Sequence, residues 1–370
     1  MNLSELAPEY IRDIAPYQPG KPTSELAREL GLNPADIIKL ASNENPLGVS
    51  PKALAAMQRL LPELALYPDG NGFELKAVIA QKFSVQHDNI VLGNGSNDIL
   101  ELAARTFLTA GESAVYAQHA FAVYPLVVKA MGARGIEVPA KNFGHDLEAM
   151  LAAIEPNTKL LFIANPNNPT GTFIDPAVLR AALARVPARV LVLIDEAYTE
   201  YLPPHLRADT AGWIRGMPNL IVSRTFSKAY GLAGLRVGYG LGNAEVIGLM
   251  NRVRQPFNVN QLALTAAAAA LNDAEFLARG FDTNQRGMAQ MIAGFKQLGL
   301  GYIPSFGNFV CVKVAVGENS AGPIFQKLLK QGVIVRPIAS YGMPEYLRIS
   351  IGTEAENARF LKALAQALHD

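Results

Sequence analysis

Lys159-Leu160-Leu161-Phe162-Ile163 runs directly into Ala164-Asn165-Pro166-Asn167-Asn168-Pro169-Thr170-Gly171, and farther on Val190-Leu191-Val192-Leu193-Ile194 runs into Asp195-Glu196-Ala197-Tyr198. A short continuous apolar run closed by turn residues fits a strand buried on both faces. Between the two runs lies an amphipathic stretch, Asp175–Val186, in which Asp175 can cap a helix and Pro176 takes its first position. Strand, helix, strand in that order argues a mostly parallel sheet with helices on both faces. Open sheets of that kind place their sites where the strands end.

The same texture extends outward from this centre. Asn89–Leu92, Ser113–Tyr116, Asn219–Val222 and Leu235–Tyr239 read as further strands. Asp98–Phe107, Ala120–Ala130 and Lys52–Leu61 read as helices, the last capped by Ser50 with Pro51 after it. From about residue 260 the chain turns helix-rich through Leu298. Strands then follow at Phe309–Val314, Val333–Arg336 and Leu347–Ile351, with a closing helix at Glu354–Leu368. The expectation is an α/β protein in three parts. Residues 1–35, rich in proline, form an arm with one short helix at Thr23–Leu30; 36–259 form a large α/β domain; 260–370 form a smaller α+β domain, joined by part of the arm. The arm would be disordered or would pack on a partner subunit.

Composition narrows the function classes. The chain has 370 residues, with 33 Lys+Arg against 32 Asp+Glu. That balance removes the electrostatic argument for nucleic-acid binding. One cysteine, Cys311, supports neither a disulfide framework nor a cysteine-based zinc site. The five histidines are scattered, without an HExxH pair, so no metal is expected. No apolar run approaches the roughly 20 residues of a membrane span, and the opening stretch lacks the apolar core of a secretion signal. A cytoplasmic protein is expected.

Four segments at expected strand ends carry chemistry. Gly93-Asn94-Gly95-Ser96-Asn97-Asp98 opens a helix; it serves either as a plain turn or as an anion cradle of backbone N–H groups. It is neither GxGxxG nor a P-loop. The Asn165–Gly171 segment is turn chemistry with two Asn-Pro steps, which fix the backbone and can aim an amide. Asp195 ends an apolar strand, where an unpaired carboxylate is costly, so it must be paired or act as a cap. Thr225-Phe226-Ser227-Lys228, followed by Gly231, Gly234 and Arg236, puts hydroxyls, an amine and a guanidinium in one short loop. An amine near cations and out of water has a lowered pKa, as Schiff-base chemistry needs; a solvated surface lysine is the plainer reading of that loop alone.

Together these segments resemble the fold-type I pyridoxal-phosphate aminotransferases, over nearly the whole chain. The early segments Ala15–Gly20 and Leu40–Gly48, with Val335-Arg336-Pro337 and Tyr346–Gly352 near the end, look like the histidinol-phosphate aminotransferase branch. The resemblance implies pyridoxal 5′-phosphate held by Lys228 as a Schiff base, with the Lys228 amine then moving a proton. It implies Asp195 against the pyridine nitrogen, Asn168 and Tyr198 on the ring's phenolic oxygen, and Phe121 stacked on the ring. Many relatives carry Tyr where this chain has Phe121, which can stack but cannot hydrogen-bond. The phosphate would lie on Gly95, Ser96 and Asn97, with Thr225, Ser227 and Arg236 around it. Tyr67 would reach the phosphate of a neighbouring subunit, which implies a homodimer. Arg348 and Arg336 would grip the substrate's anion, bordered by Tyr17 and Asn43.

The implied reaction is amino transfer from L-histidinol phosphate to 2-oxoglutarate, giving imidazole-acetol phosphate and glutamate. Cofactor motifs do not separate it from transamination of phenylalanine or tyrosine, or from decarboxylation of a phosphorylated amino acid. A non-catalytic cofactor-binding regulator is the reading from another class. It would need a DNA-binding domain, for which this chain has no basic stretch.

Overall fold

The computed structural model describes residues 2–16, 20–315 and 320–369. Its strands, in chain order, are β1 (Ile38–Lys39), β2 (Ile90–Gly93), β3 (Ser113–Ala117), β4 (Arg134–Val138), β5 (Thr158–Ala164), β6 (Leu191–Asp195), β7 (Leu220–Thr225), β8 (Gly238–Gly242), β9 (Tyr302–Ile303), β10 (Phe309–Lys313), β11 (Val333–Ile334), β12 (Arg336–Pro337) and β13 (Tyr346–Ser350). Seven of them make one sheet in the order β2-β8-β7-β6-β5-β3-β4. Strand β8 runs against both its neighbours; the other pairings are parallel. The sheet therefore ends at one edge on Gly93, Ala117, Val138, Ala164, Asp195 and Thr225, where β8 begins at Gly238. From β3 the chain passes outward to β4, and from β5 it passes the other way to β6. The crevice between β3 and β5 is thus a topological switch point, where such sheets accept ligands.

The apolar runs explain the sheet. Every residue of β6 and β7 is buried, as burial under helices on both faces requires. Two cores result. One joins β5, β6 and β7 to the helices Pro51–Leu60, Phe73–Phe83 and Gln261–Leu271; the other packs Ser96–Phe107 and Val123–Ala130 on the opposite face. A third core holds β10, β13 and the helices Ala274–Gln297 and Glu354–His369. Its antiparallel sheet runs β12-β13-β10-β9. Packing places two stretches across the 259/260 line: Gln261–Leu271 belongs to the large sheet's core, and β1 pairs in parallel with β11 on the other side.

Several expected boundaries move. Leu235–Tyr239 is not a strand along its length: Ala233–Leu235 is a 3-10 turn and Arg236 has φ 55°, so extended pairing starts only at Gly238. The helix expected from Ala120 begins at Val123, because His119 takes φ 57° and the chain turns before the helix starts. Val333–Arg336 splits, since β11 pairs with β1 while β12 pairs with β13. Edge strand β4, mostly exposed, lacks the apolar run that marks its neighbours. The helix Phe73–Phe83 has Gly72 at its N-cap, and its first N–H donates instead to Asp69 Oδ2 at 2.6 Å, four residues back, so the usual start signal is absent. The arm also holds a short helix, Glu9–Arg12, that packs on its own chain: Lys129 Nζ donates to the Asp13 carbonyl at 2.8 Å.

Candidate active site

The strand ends enclose a cavity of about 240 Å³. Its walls include Ser96, Asn97, Phe121, Asn168, Asp195, Tyr198, Thr225, Ser227, Lys228 and Arg236 from the large sheet's edge. Asn43 comes from the strap after β1, and Arg336 and Arg348 come from β12 and β13.

At the helix end, Ser96–Phe107 starts behind Gly95, and no side chain caps it. Gly95 has φ 84°, and a Cβ there would run into the Arg236 guanidinium. Gly238 lies behind the loop; a Cβ on it would stand 2.5 Å from Ser96 N. Two glycines thus let backbone N–H groups, a guanidinium and a hydroxyl converge. Arg236 Nη1 donates to Ser227 Oγ at 3.1 Å, and Thr225 Oγ1 accepts from Ser227 N at 3.1 Å. A helix start with an adjacent guanidinium is an anion site.

Asp195 is buried at the cavity floor. Its Oδ2 accepts from Tyr124 Oη at 2.9 Å and its Oδ1 from Ala197 N at 3.2 Å. Burial pushes its carboxyl up to about 6, against the pull of those two bonds. Lys228, on the loop after β7, donates from Nζ to the Ser42 carbonyl at 2.9 Å. Loss of water lowers its amine to about 8, and the charges of Arg348 and Arg236 push the same way. Tyr198 Oη accepts from Asn43 Nδ2 at 2.9 Å, and burial raises its phenol to about 12.

At the opposite end, Arg348 is buried and reaches both bodies. Nη1 donates to Asn168 Oδ1 at 2.5 Å and Nη2 to the Ala41 carbonyl at 2.7 Å, while Nε is buried without a partner. Asn43, with φ 56°, is pinned by Ser350 and Asn308. The cavity thus holds two cationic ends, with an amine, a carboxylate and a phenol between them.

One expected residue lies elsewhere. Tyr67 does not line this cavity: it is 84% exposed and its ring lies 4.9 Å from that of Phe257. Tyr17 falls outside the described residues. Sequence reasoning missed Tyr124, Ser42 and Tyr341, which also line the cavity. For Tyr124 a signal existed: it lies three residues after Phe121, where the chain enters a helix, a spacing that brings side chains to one side. Ser42 contributes through its backbone carbonyl, which a side-chain pattern does not reveal.

The chain is similar to known proteins along nearly its whole length. The family model for aminotransferase class I and II matches residues 35–364. The chain is 60% identical over 368 residues to histidinol-phosphate aminotransferase 2 of Nitrosospira multiformis, covering 100% of this chain and 93% of that protein. It is 62% identical over 366 residues to the histidinol-phosphate aminotransferase of Methylobacillus flagellatus, covering 99% and 98%. The crystal structure of histidinol-phosphate aminotransferase from Sinorhizobium meliloti in complex with pyridoxal-5′-phosphate superposes with a TM-score of 0.90 at 27% identity, covering 98% of this chain and 97% of that one.

Proposed function

This chain belongs to the aminotransferase class I and II family, and on that premise we propose that it moves the amino group of L-histidinol phosphate to 2-oxoglutarate, giving imidazole-acetol phosphate and glutamate. Pyridoxal 5′-phosphate is the cofactor. The observation that carries the reading is the cavity's layout: an amine lowered to about 8 and a buried carboxylate stand between two separate cationic ends. One end suits the cofactor's phosphate and the other suits the substrate's anion. The relatives at about 60% identity, named histidinol-phosphate aminotransferases, support the choice of substrate.

The residues fit the cofactor. The Gly95 cradle, closed by Arg236, has the donors a phosphate requires. Asp195, raised to about 6 among neutral donors, has room for a cationic ring nitrogen that would draw its carboxyl back to the anion. Phe121 offers a face for stacking, and Asn168 and Tyr198 offer donors to the ring's phenolic oxygen. When bound, the cofactor accepts electrons from the substrate carbon that loses its proton.

The chain's own groups do the rest. Lys228 is the amine that would hold the cofactor at its aldehyde carbon. When free, that amine would take up and give back a proton at the substrate carbon bearing nitrogen; an amine near 8 can do both at neutral pH. Arg348 and Arg336 hold the phosphate of histidinol phosphate in one half-reaction and a carboxylate of 2-oxoglutarate in the other. Both arginines line the cavity, so their guanidinium groups are within reach of that anion. Asn43 holds the Tyr198 phenol in place.

The same reading makes the enzyme a cytoplasmic homodimer. Tyr67 and Phe257 meet at a tilt in the open, and Leu64 and Leu66 are exposed as well, an apolar strip suited to a second copy. From there Tyr67 reaches the partner's phosphate end.

The test is a half-reaction followed by absorbance. The yellow protein, loaded with pyridoxal 5′-phosphate, receives histidinol phosphate or phenylalanine with no keto acid present. Bleaching at far lower histidinol phosphate than phenylalanine is expected. Preference for phenylalanine moves the protein to aromatic amino acids, and a protein that never takes up the cofactor overturns the reading.

A further inference from the structure

We propose that Tyr124 is a positioning residue for this reaction: its hydroxyl holds the Asp195 carboxylate while its ring braces Phe121, so one side chain aligns the groups set against the edge and the face of the cofactor ring. The inference rests on the function proposed above.

Tyr124 lies in the first turn of Val123–Ala130 and is fully buried. A buried phenol requires a partner, and here the partner is Asp195 Oδ2 at 2.9 Å. The bond runs to a carboxylate and is therefore stronger than one between neutral groups. The phenol ring cannot swing away from it. It stacks on Phe162 of β5 with centroids 5.0 Å apart and planes 9° apart. It also meets Phe121 nearly at right angles, with centroids 6.1 Å apart and planes 87° apart. The second carboxylate oxygen is held by Ala197 N, so both oxygens are anchored and the carboxylate plane is fixed.

Other charges also act on Asp195. Glu196 on its own strand end opposes its ionisation and Lys228 favours it, while the Tyr198 phenol lies close enough to feel its charge. Glu196 itself is engaged by Arg224, with Nη2 to Oε2 at 2.7 Å. Tyr124 is the side chain that bonds Asp195 directly. Its own phenol is held well above its ordinary value, so it remains a donor throughout the working range. Without that donor the carboxyl becomes more basic and draws the proton of the ring nitrogen toward itself. A ring bound there would then supply a weaker electron sink. Binding contacts to the substrate anion, at Arg348 and Arg336, are untouched.

The experiment uses the full-length protein loaded with pyridoxal 5′-phosphate. Tyr124→Phe keeps the ring and removes only the hydroxyl. We expect kcat to fall about tenfold, the loss of one charge-assisted bond, with KM for both substrates within about twofold. The pH midpoint of the bound cofactor's colour change should rise by about half a unit to one unit. Asp195→Asn supplies the second background. There Tyr124→Phe should alter neither the colour midpoint nor the cofactor dissociation constant, because the carboxylate it acts through is gone. An unchanged kcat and midpoint in the single variant overturns the proposal. So does an equal effect of Tyr124→Phe in the Asp195→Asn background, which marks a general packing role. The wild-type protein separates the two readings: if it takes up no cofactor, the function fails first and this role falls with it.

Discussion

The two ends of the cavity are built by different means. Asn97, Asp195, Thr225 and Lys228 sit on or just past one end of one sheet, so the backbone ladders that join β2, β8, β7 and β6 set their spacing. Arg336, Arg348 and Asn43 come from the smaller body and the strap that joins it. Their distance from Lys228 depends on how two cores pack, and Arg348 bridges the seam by bonding Asn168 on one side and Ala41 on the other. A sheet edge is rigid and suits groups that must hold one geometry through a reaction. A seam between bodies suits a site that must accept two different anions in turn.

Variants can break or sharpen that contrast. The largest effect is expected at the sheet edge. Lys228→Ala should cost at least about four orders of magnitude in turnover, since the group that bonds and moves the proton is lost. Binding of 2-oxoglutarate at the other end, followed by calorimetry, should survive. Asp195→Ala should lower turnover by about three orders of magnitude while some cofactor still binds, as read by absorbance. Near-normal turnover would remove Asp195 from its assigned place.

At the seam, Arg348→Ala should lower kcat/KM by about a hundredfold for both substrates, because one guanidinium serves both anions. An unchanged KM for 2-oxoglutarate would separate Arg348 from the anion site. The smallest effect links the two ends. Lys228 must be uncharged to attack, so capture of pyridoxal 5′-phosphate by the cofactor-free protein should accelerate about tenfold per pH unit below about 8, then level off. Arg348 is one of the charges holding that amine down. Arg348→Ala should therefore move the break to higher pH in a stopped-flow titration.

Much of the sheet edge was legible in the sequence. The continuous runs Lys159–Ile163 and Val190–Ile194 are buried strands of one sheet, and the turn residues after them line the cavity. Legibility fails where tertiary context overrides local pattern. Edge strand β4 has few buried residues to mark it, and Gly238 begins a strand only because Arg236 bends the chain beforehand. Tyr124 was missed because its value comes from Asp195, seventy-one residues away in the chain. Tyr67, which the resemblance sets at a neighbouring subunit's phosphate, stands in the open in one chain.

The apolar strands at the centre of the sheet, the residue types of the chemistry and their attachment to strand ends were determined by the sequence alone, because apolar periodicity and turn chemistry act over a few residues. Only the tertiary structure decided that Gln261–Leu271 joins the large sheet's core while β1 crosses to the smaller body. It also decided that the Ser42 carbonyl meets Lys228 and that Arg348 spans the seam. Those contacts join residues far apart in the chain, and burial of apolar surface between whole elements, which no local pattern encodes, selects them.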